Sequence, residues 1–329
     1  MSNELKNLRP GALWHIFNDI CSIPHPSGYE DALRDFLKKL AAEAGLKTTV
    51  DQTGNLLVEK AASPGMEQCK TVILQCHLDM VPQKNSDCKF DFVKDPISPY
   101  IDGDLVKAAH TTLGADNGIG VAAALALMLD KGIAHGPLKA LFTVAEETGL
   151  QGALNLSHKF VDGDILINLD SEEEHRVFTG CAGGVRSNHE FSPEYDAVPP
   201  RNSAMNIRIS GLKGGHSGCD INAGRGNSLK LMAEMLLAAE ERFGLKLADL
   251  HGGNLDNAIP REAFATVLMP VSNTDKFADF AAGFEVDKVQ LFGRAEPGLH
   301  IQLTCIKVPD RIFAANFQTR LLNALNDCP

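Results

Sequence analysis

Six residues in the first half of the chain are of types that can hold a metal ion and move a proton. His77 and Asp79 close the apolar run "LQCHLDMVP", and Asp116 stands in "TTLGADNGIG" just before a helix-forming stretch. Glu146 and Glu147 end "FTVAEE", and Asp170 ends "DILINLD". A histidine followed two residues later by an aspartate can be a ligand and its orienting carboxylate, because a ligating imidazole usually donates its other N–H. The pair alone is common, and a polar loop after a buried strand produces it equally well. Each of the other acids has an ordinary reading too. Asp116 could cap the helix that follows, the glutamate pair could be solvated, and Asp170 could open an acidic loop with Glu172, Glu173 and Glu174. Taken together they are harder to dismiss, since acids gathered in one place repel unless cations neutralise them. A nitrogen and several oxygens suit zinc, with manganese or cobalt as substitutes. A carboxylate shared by two ions would make a co-catalytic pair that activates water and clamps a transition state. The adjacent glutamates fit that scheme. Neighbours in an extended segment point in opposite directions, so one can hold metal while the other takes a proton from water.

The chemistry requires that distant residues meet, and the element pattern supplies a way. Helix "YEDALRDFLKKLAAEAG" is followed by the short β-rich runs "NLLVEK" and "TVILQC", helix "NGIGVAAALALMLDKG", strand "LKALFTVA", helical "QGALNLSHKF" and strand "DILINLD". Such alternation predicts an α/β layer with a largely parallel sheet. The carboxyl ends of parallel strands share one rim where ligands bind. Near "GCAGGVRS" the character changes. Strand "AMNIRIS", helix "NSLKLMAEMLLAAEERFG", strands "KLADL" and "EAFATVLMP", helix "TDKFADFAAGF" and strand "HIQLTCIKV" follow the βαββαβ order of a ferredoxin-like unit. Met205, Ile207 and Ile209 share one face of the first of these strands. The stretch "DRIFAANFQTRLLNALND" reads as a last helix. Two domains are expected, residues 1–186 and 187–329, with no internal repeat.

Composition narrows the classes. The 329 residues carry a net charge of −11 with no basic stripe, so nucleic acid is not an expected partner. "VAAALALML", the most apolar helical stretch, is about half what a bilayer span requires, and the first residues lack the pattern of a secretory signal. Eight cysteines without a C-x-x-C or a disulfide-like framework point to reduced thiols and the cytoplasm. The glycines of "TLGADNGIG" do not have dinucleotide-binding spacing, and no G-x-S-x-G nucleophile motif is present. His15, His25, His110, His135 and His158 have no motif around them and read as ordinary surface or core residues.

Six stretches carry a resemblance: "LQCHLDMVPQKN", "TTLGADNGIG", "AEETGLQGA", "NLDSEEE", "GLKGGHSG" and "NAIPREAFAT". In this order they resemble the metallopeptidase clan of aminoacylases, carboxypeptidases and carnosinases, and most closely the bacterial aminoacyl-histidine dipeptidases. The resemblance covers essentially the whole chain. It implies a zinc-peptidase-like three-layer α/β catalytic domain with an inserted ferredoxin-like α+β lid that serves a homodimer. It also implies hydrolysis of dipeptides by metal-activated water, with two divalent ions, zinc or else cobalt or manganese. By the same resemblance His77 and Asp170 hold one metal, Asp116 bridges, and Glu147 holds the other. Asp79 orients His77, and Glu146 is the general base. His216 stabilises the oxyanion or the substrate carboxylate, and Asn257 and Arg261 grip the substrate. Members of that family return to the catalytic domain after the lid and supply a last histidine ligand in a "GPHSPDE"-like motif, which has no counterpart here. His300, in "EPGLHIQ", lacks that motif. The expectation is therefore an N-terminal, truncated portion whose second metal position is incomplete. A silent fragment and a related N-acyl amino acid deacylase are the competing readings.

Overall fold

Turn chemistry and helical spacing shape the first half of the chain. A computed structural model describes residues 4–328 apart from 172, 174, 181–184 and 186. The chain divides into two units, Met1–Gly183 and Gly184–Pro329. Arg186, where the sequence places the boundary, and Glu172 and Glu174 of the acidic run lie outside the described residues.

The first unit contains helices α1 (Gly11–Cys21), α2 (Asp31–Glu43), α3 (Ala115–Leu129) and the short α4 (Gln151–Leu154). Its strands are β1 (Lys47–Val50), β2 (Leu56–Lys60), β3 (Val72–His77), β4 (Pro99–Asp102), β5 (Leu105–Ala108), β6 (Leu138–Thr143) and β7 (Ile165–Asn168). Five of them form a sheet in the order β1-β2-β6-β3-β7, while β4 and β5 pair separately. The sheet is mixed and not largely parallel. Strand β3 runs parallel to β6 and β7, but β2 is antiparallel to both β1 and β6. For β1 and β2 the cause is the tight turn between them. There the backbone N–H groups of Thr53, Gly54 and Asn55 all donate to Asp51 Oδ1, and so short a connection can only join antiparallel strands.

In α2, Leu33, Leu37 and Ala41 recur at helical spacing and are fully buried. They join Phe17 and Ile20 of α1 and Val121 and Leu125 of α3 over one face of the sheet, against Leu56, Val58, Cys76 and Phe142. The opposite face carries a smaller cluster of Leu57, Ile73 and Leu141 under Phe160. Strand β2 thus buries successive residues on both sides, as a covered strand must. Because β3, β6 and β7 are parallel, His77, Thr143 and Asn168 finish at one rim.

The second unit holds β8 (Tyr195–Ala197), β9 (Asn202–Ser210), α5 (Ser228–Phe243), β10 (Lys246–Gly252), β11 (Ala263–Pro270), α6 (Thr274–Phe292), β12 (His300–Ile306), β13 (Arg311–Phe313) and α7 (Ala315–Asp327). Strands β9 to β12 make an antiparallel sheet in the order β10-β11-β9-β12. This is the expected βαββαβ unit, with Met205, Ile207 and Ile209 inside its core beside Met232, Leu236 and Phe277. Helix α5 starts where the Asn227 side chain accepts the N–H groups of Leu229 and Lys230 and stops at the left-handed Gly244. Two details differ from the pattern. Residues 311–313 form β13, paired with β8, so the last helix begins only at Ala315. Helix α6 also runs on to Phe292.

Helix α4 is pressed against the segment that leaves β6. A Cβ built on Gly152 would lie 2.4 Å from Val144 O and 2.5 Å from Asn55 Oδ1. Gly152→Ala is therefore expected to cost about 1–3 kcal/mol, the usual range for overpacking. Calorimetry checks this, and an unchanged Tm would show that the contact is soft.

Candidate metal centre

Strand β3 delivers His77 to the rim with its ring 1% exposed. Both ring nitrogens are engaged. Nδ1 donates to the backbone carbonyl of Asp79 at 2.9 Å, with Asp79 Oδ1 at 3.4 Å. Nε2 lies 3.0 Å from Asp116 Oδ1 and 3.5 Å from Asp170 Oδ1. Asp116 comes from the first turn of α3, where it and Asn117 leave helical geometry. Asp170 follows β7 and receives the side-chain amide of Asn117, which also donates to Leu169 O at 3.3 Å. Ligand atoms of His77, Asp116 and Asp170 lie within 4.8 Å of one another, and so do those of His77, Glu146 and Glu147. The second grouping joins the two glutamates to the imidazole, whereas the resemblance pairs Glu147 with Asp116. All six residues singled out in the first unit are thus brought to one place.

The charge in this cluster is poorly balanced. Burial alone would pull the His77 pKa down, but hydrogen bonds with Asp116, Asp170 and Asp79 outweigh it and push it up to about 12. His77 is an imidazolium wherever only protons compete for Nε2. Burial, followed by repulsion from Asp116 and Glu146, pushes Glu147 up to about 8. Glu146 is raised by burial and then by Asp170, Asp79 and Asp116, against the pull of His77. Asp79 behaves in the opposite way. Its burial is overcome by hydrogen bonds from His77, Ser27 and the Glu146 N–H, and its pKa is lowered. Its carboxylate accepts Ser27 Oγ–H at 2.7 Å and the N–H groups of Glu146 and Glu147 at 3.0 and 3.2 Å. A Glu147 carboxyl that holds its proton beside a protonated imidazole fits a site for divalent cations, which would displace those protons. The nitrogen-and-oxygen donor set accords with zinc, manganese or cobalt.

In the second unit, His216, Asn257 and Arg261 lie on two paired loop segments. The N–H of Ser217 donates to Asn257 O at 2.8 Å, that of Ile259 donates to Gly215 O at 2.9 Å, and Arg261 Nε donates to Leu212 O at 3.1 Å. His216 Nδ1 accepts the N–H groups of Gly218 and Cys219, each at 3.1 Å. An acceptor at Nδ1 places the ring proton of the neutral imidazole on Nε2, which is then a fixed donor. The loop is tied at its base by Glu296, fully buried. Its two carboxyl oxygens accept Lys213 N–H at 2.7 Å and Gly226 N–H at 2.8 Å.

The sequence reading missed Ser27, Asn117 and Glu296. Each acts through a contact with a distant residue or its backbone, and only the position of Asn117 beside Asp116 could have drawn attention to it.

The chain is 44% identical over 327 residues to the cytosol non-specific dipeptidase of Escherichia coli, covering 99% of this chain and 67% of that protein. The chain belongs to the cytosol non-specific dipeptidase family. The crystal structure of aminoacylhistidine dipeptidase from Vibrio alginolyticus is likewise 44% identical, with a TM-score of 0.54 over 100% of this chain and 68% of that one. An uncharacterised Bacillus subtilis protein, YqjE, is 24% identical over 89% of this chain and 76% of its own length. Residues 58–198 match the model of peptidase family M28, and residues 207–286 match that of a peptidase dimerisation domain. Within this dipeptidase family the two units are a catalytic and a dimerisation domain. The likeness runs through essentially all of this chain, which spans about two thirds of the length of these two dipeptidases.

The raised pKa values set a pH dependence. Between about pH 4.5 and 8 the folded chain holds the Glu147 proton while the unfolded chain gives it up, so stability falls as pH rises through that window. The contribution of His77 is fully present below pH 6.5 and is lost as pH climbs toward 12. Both trends weaken the metal-free chain between pH 6.5 and 8, and a cation that displaces the protons reverses them. The Tm gain on adding zinc is expected to be larger at pH 8 than at pH 6. Equal gains at the two pH values would show that the cation does not compete with these protons.

Proposed function

We propose that the chain hydrolyses the amide bond of dipeptides, including those ending in histidine, with two divalent cations of which zinc is the first choice. The observation that carries the reading is the meeting of His77, Asp170, Glu146 and Glu147, from the ends of parallel strands, with Asp116 from the start of α3, in a chain of a dipeptidase family. His77 and Asp170 would hold one ion and Glu147 the other, with Asp116 between them, so the second position has only two carboxylates of this chain, the incomplete set expected from the sequence. The strongest charge repulsion on Glu147 comes from Asp116, and a cation shared by the two relieves it. When bound, such ions supply Lewis acidity, which acidifies water and polarises a carbonyl.

The chain's own groups account for the proton movements. Glu146, with its raised pKa, takes a proton from the attacking water and delivers it to the leaving nitrogen as the C–N bond breaks. Asp79 keeps His77 and both glutamate amides in register. His216, with its ring proton on Nε2, donates to the carbonyl oxygen or to the substrate carboxylate. It acts from its own protomer or from a partner in a homodimer formed through the dimerisation domain. Arg261 and Asn257 grip the free ends of the dipeptide. The reading places the protein in the cytoplasm. Among the described residues no helix is long and apolar enough to cross a membrane.

Turnover of dipeptides and of N-acetyl amino acids, before and after exhaustive chelation, tests the reading and separates it from a deacylase. Activity that survives confirmed metal removal would overturn it. Glu146→Ala is expected to lower kcat by roughly 10²–10⁴, the usual loss for a general base, with metal content kept. Glu147→Ala is expected to lose bound metal, and elemental analysis of both variants checks the division of roles.

A further inference from the structure

Strand β6 ends at Thr143, and the four residues after it carry the glutamate pair into the site. Each of their backbone N–H groups donates to a buried side chain and not to a strand partner. Val144 N–H donates to Asn55 Oδ1 at 3.2 Å, and Ala145 N–H to Glu30 Oε1 at 2.9 Å. The N–H groups of Glu146 and Glu147 donate to the two oxygens of Asp79. Asn55, Glu30 and Asp79 are 0%, 6% and 1% exposed and come from three separate places in the sequence. The segment needs such support, because Ala145 has φ +49°, a left-handed conformation that a residue with a side chain rarely adopts.

Within this cradle the role of Glu30 is not accounted for by local structure. It is the N-cap residue of α2, yet its side chain makes no capping hydrogen bond to that helix. Its Oε1 instead accepts two N–H groups, from Gly28 at 3.0 Å and from Ala145. The same turn sends Ser27 Oγ–H to Asp79 Oδ2. One short stretch therefore braces both supports of the glutamates, the carboxylate beneath them and the peptide before them.

We propose that Glu30 is a positioning residue for the reaction. By pinning the Ala145 amide it sets the rotation of the chain entering Glu146, and so which glutamate faces the cations and which faces the attacking water. Neighbouring side chains diverge, so a small rotation of this peptide misplaces both. This rests on the assignment of Glu146 and Glu147 made above.

The test uses the full chain with zinc and a dipeptide. Glu30→Ala is expected to lower kcat at least tenfold and to weaken zinc binding at least tenfold by calorimetric titration, with KM little changed, at a temperature where circular dichroism shows it folded. Glu30→Gln keeps an oxygen able to accept both N–H groups and is expected to stay within about threefold of the parent in both readouts. Glu30→Asp, too short to span the gap, is expected to fall between them. A merely structural glutamate would lower Tm in Glu30→Ala but leave kcat and zinc affinity of the folded protein at parent values, and that result overturns the proposal. If Glu30→Ala does not fold, equal kcat and zinc affinity in the Gln and Asp variants overturn it instead. A parent chain that neither binds zinc nor hydrolyses dipeptides would defeat the underlying reading. An active parent with a flat variant series defeats the positioning role alone.

Discussion

Carboxylates that share a small volume raise one another's affinity for protons, and nearly everything at this rim follows from that repulsion. The parallel run of β3, β6 and β7 brings strand ends together and with them more acids than one imidazole can balance. His77 is the only basic side chain in the two ligand groupings. Burial, reinforced by this repulsion, leaves a half-buried Glu147 that keeps its proton up to about pH 8. A packed domain tolerates such crowding only where something other than hydration compensates. Protons do so in the metal-free chain, and divalent cations are the natural replacement.

Asp79 and Glu147 show how differently two neighbouring acids can be treated. Asp79 is the more deeply buried of the two, yet its pKa is lowered because three protein donors converge on its oxygens beside the imidazole. Glu147 has acidic neighbours where Asp79 has donors, and its pKa moves the other way. Burial raises both; at Glu147 repulsion adds to it, whereas at Asp79 hydrogen bonds to the charged form overcome it. One acid thereby becomes part of the frame, and the other remains available for exchange with a cation.

Much of this was legible in the residues themselves. Strand-end positions made His77, Glu146, Glu147 and Asp170 stand out, as did the place of Asp116 just before a helix, and the alternating pattern located the elements that carry them. The βαββαβ order of the second unit was readable because both of its helices and its sheet strands have clear periodicity. What escaped depends on partners far away in sequence. The antiparallel placement of β2 comes from a turn closed by Asp51, and β13 exists only because β8 pairs with it. The outer half of α6 has Val286 and Leu291 exposed, so its apolar spacing fades although the helix continues to Phe292. At the site, the backbone amides of Glu146 and Glu147 find Asp79 across 67 and 68 residues of sequence, a relation that no local pattern encodes.

The buried Glu296 has a consequence for the chain as a polymer. By receiving N–H groups at Lys213 and Gly226, it closes the intervening segment into a ring without a covalent bond. The entropy lost on such closure grows only with the logarithm of length, about 0.6 kcal/mol for each doubling. A ring fastened at its neck could therefore lengthen on the side away from His216, around residues 221–224, at little thermodynamic cost. Substitutions at the neck would instead release the whole segment at once. Variation among related chains would then be expected to collect on that side of the ring, with His216 and the neck held in place.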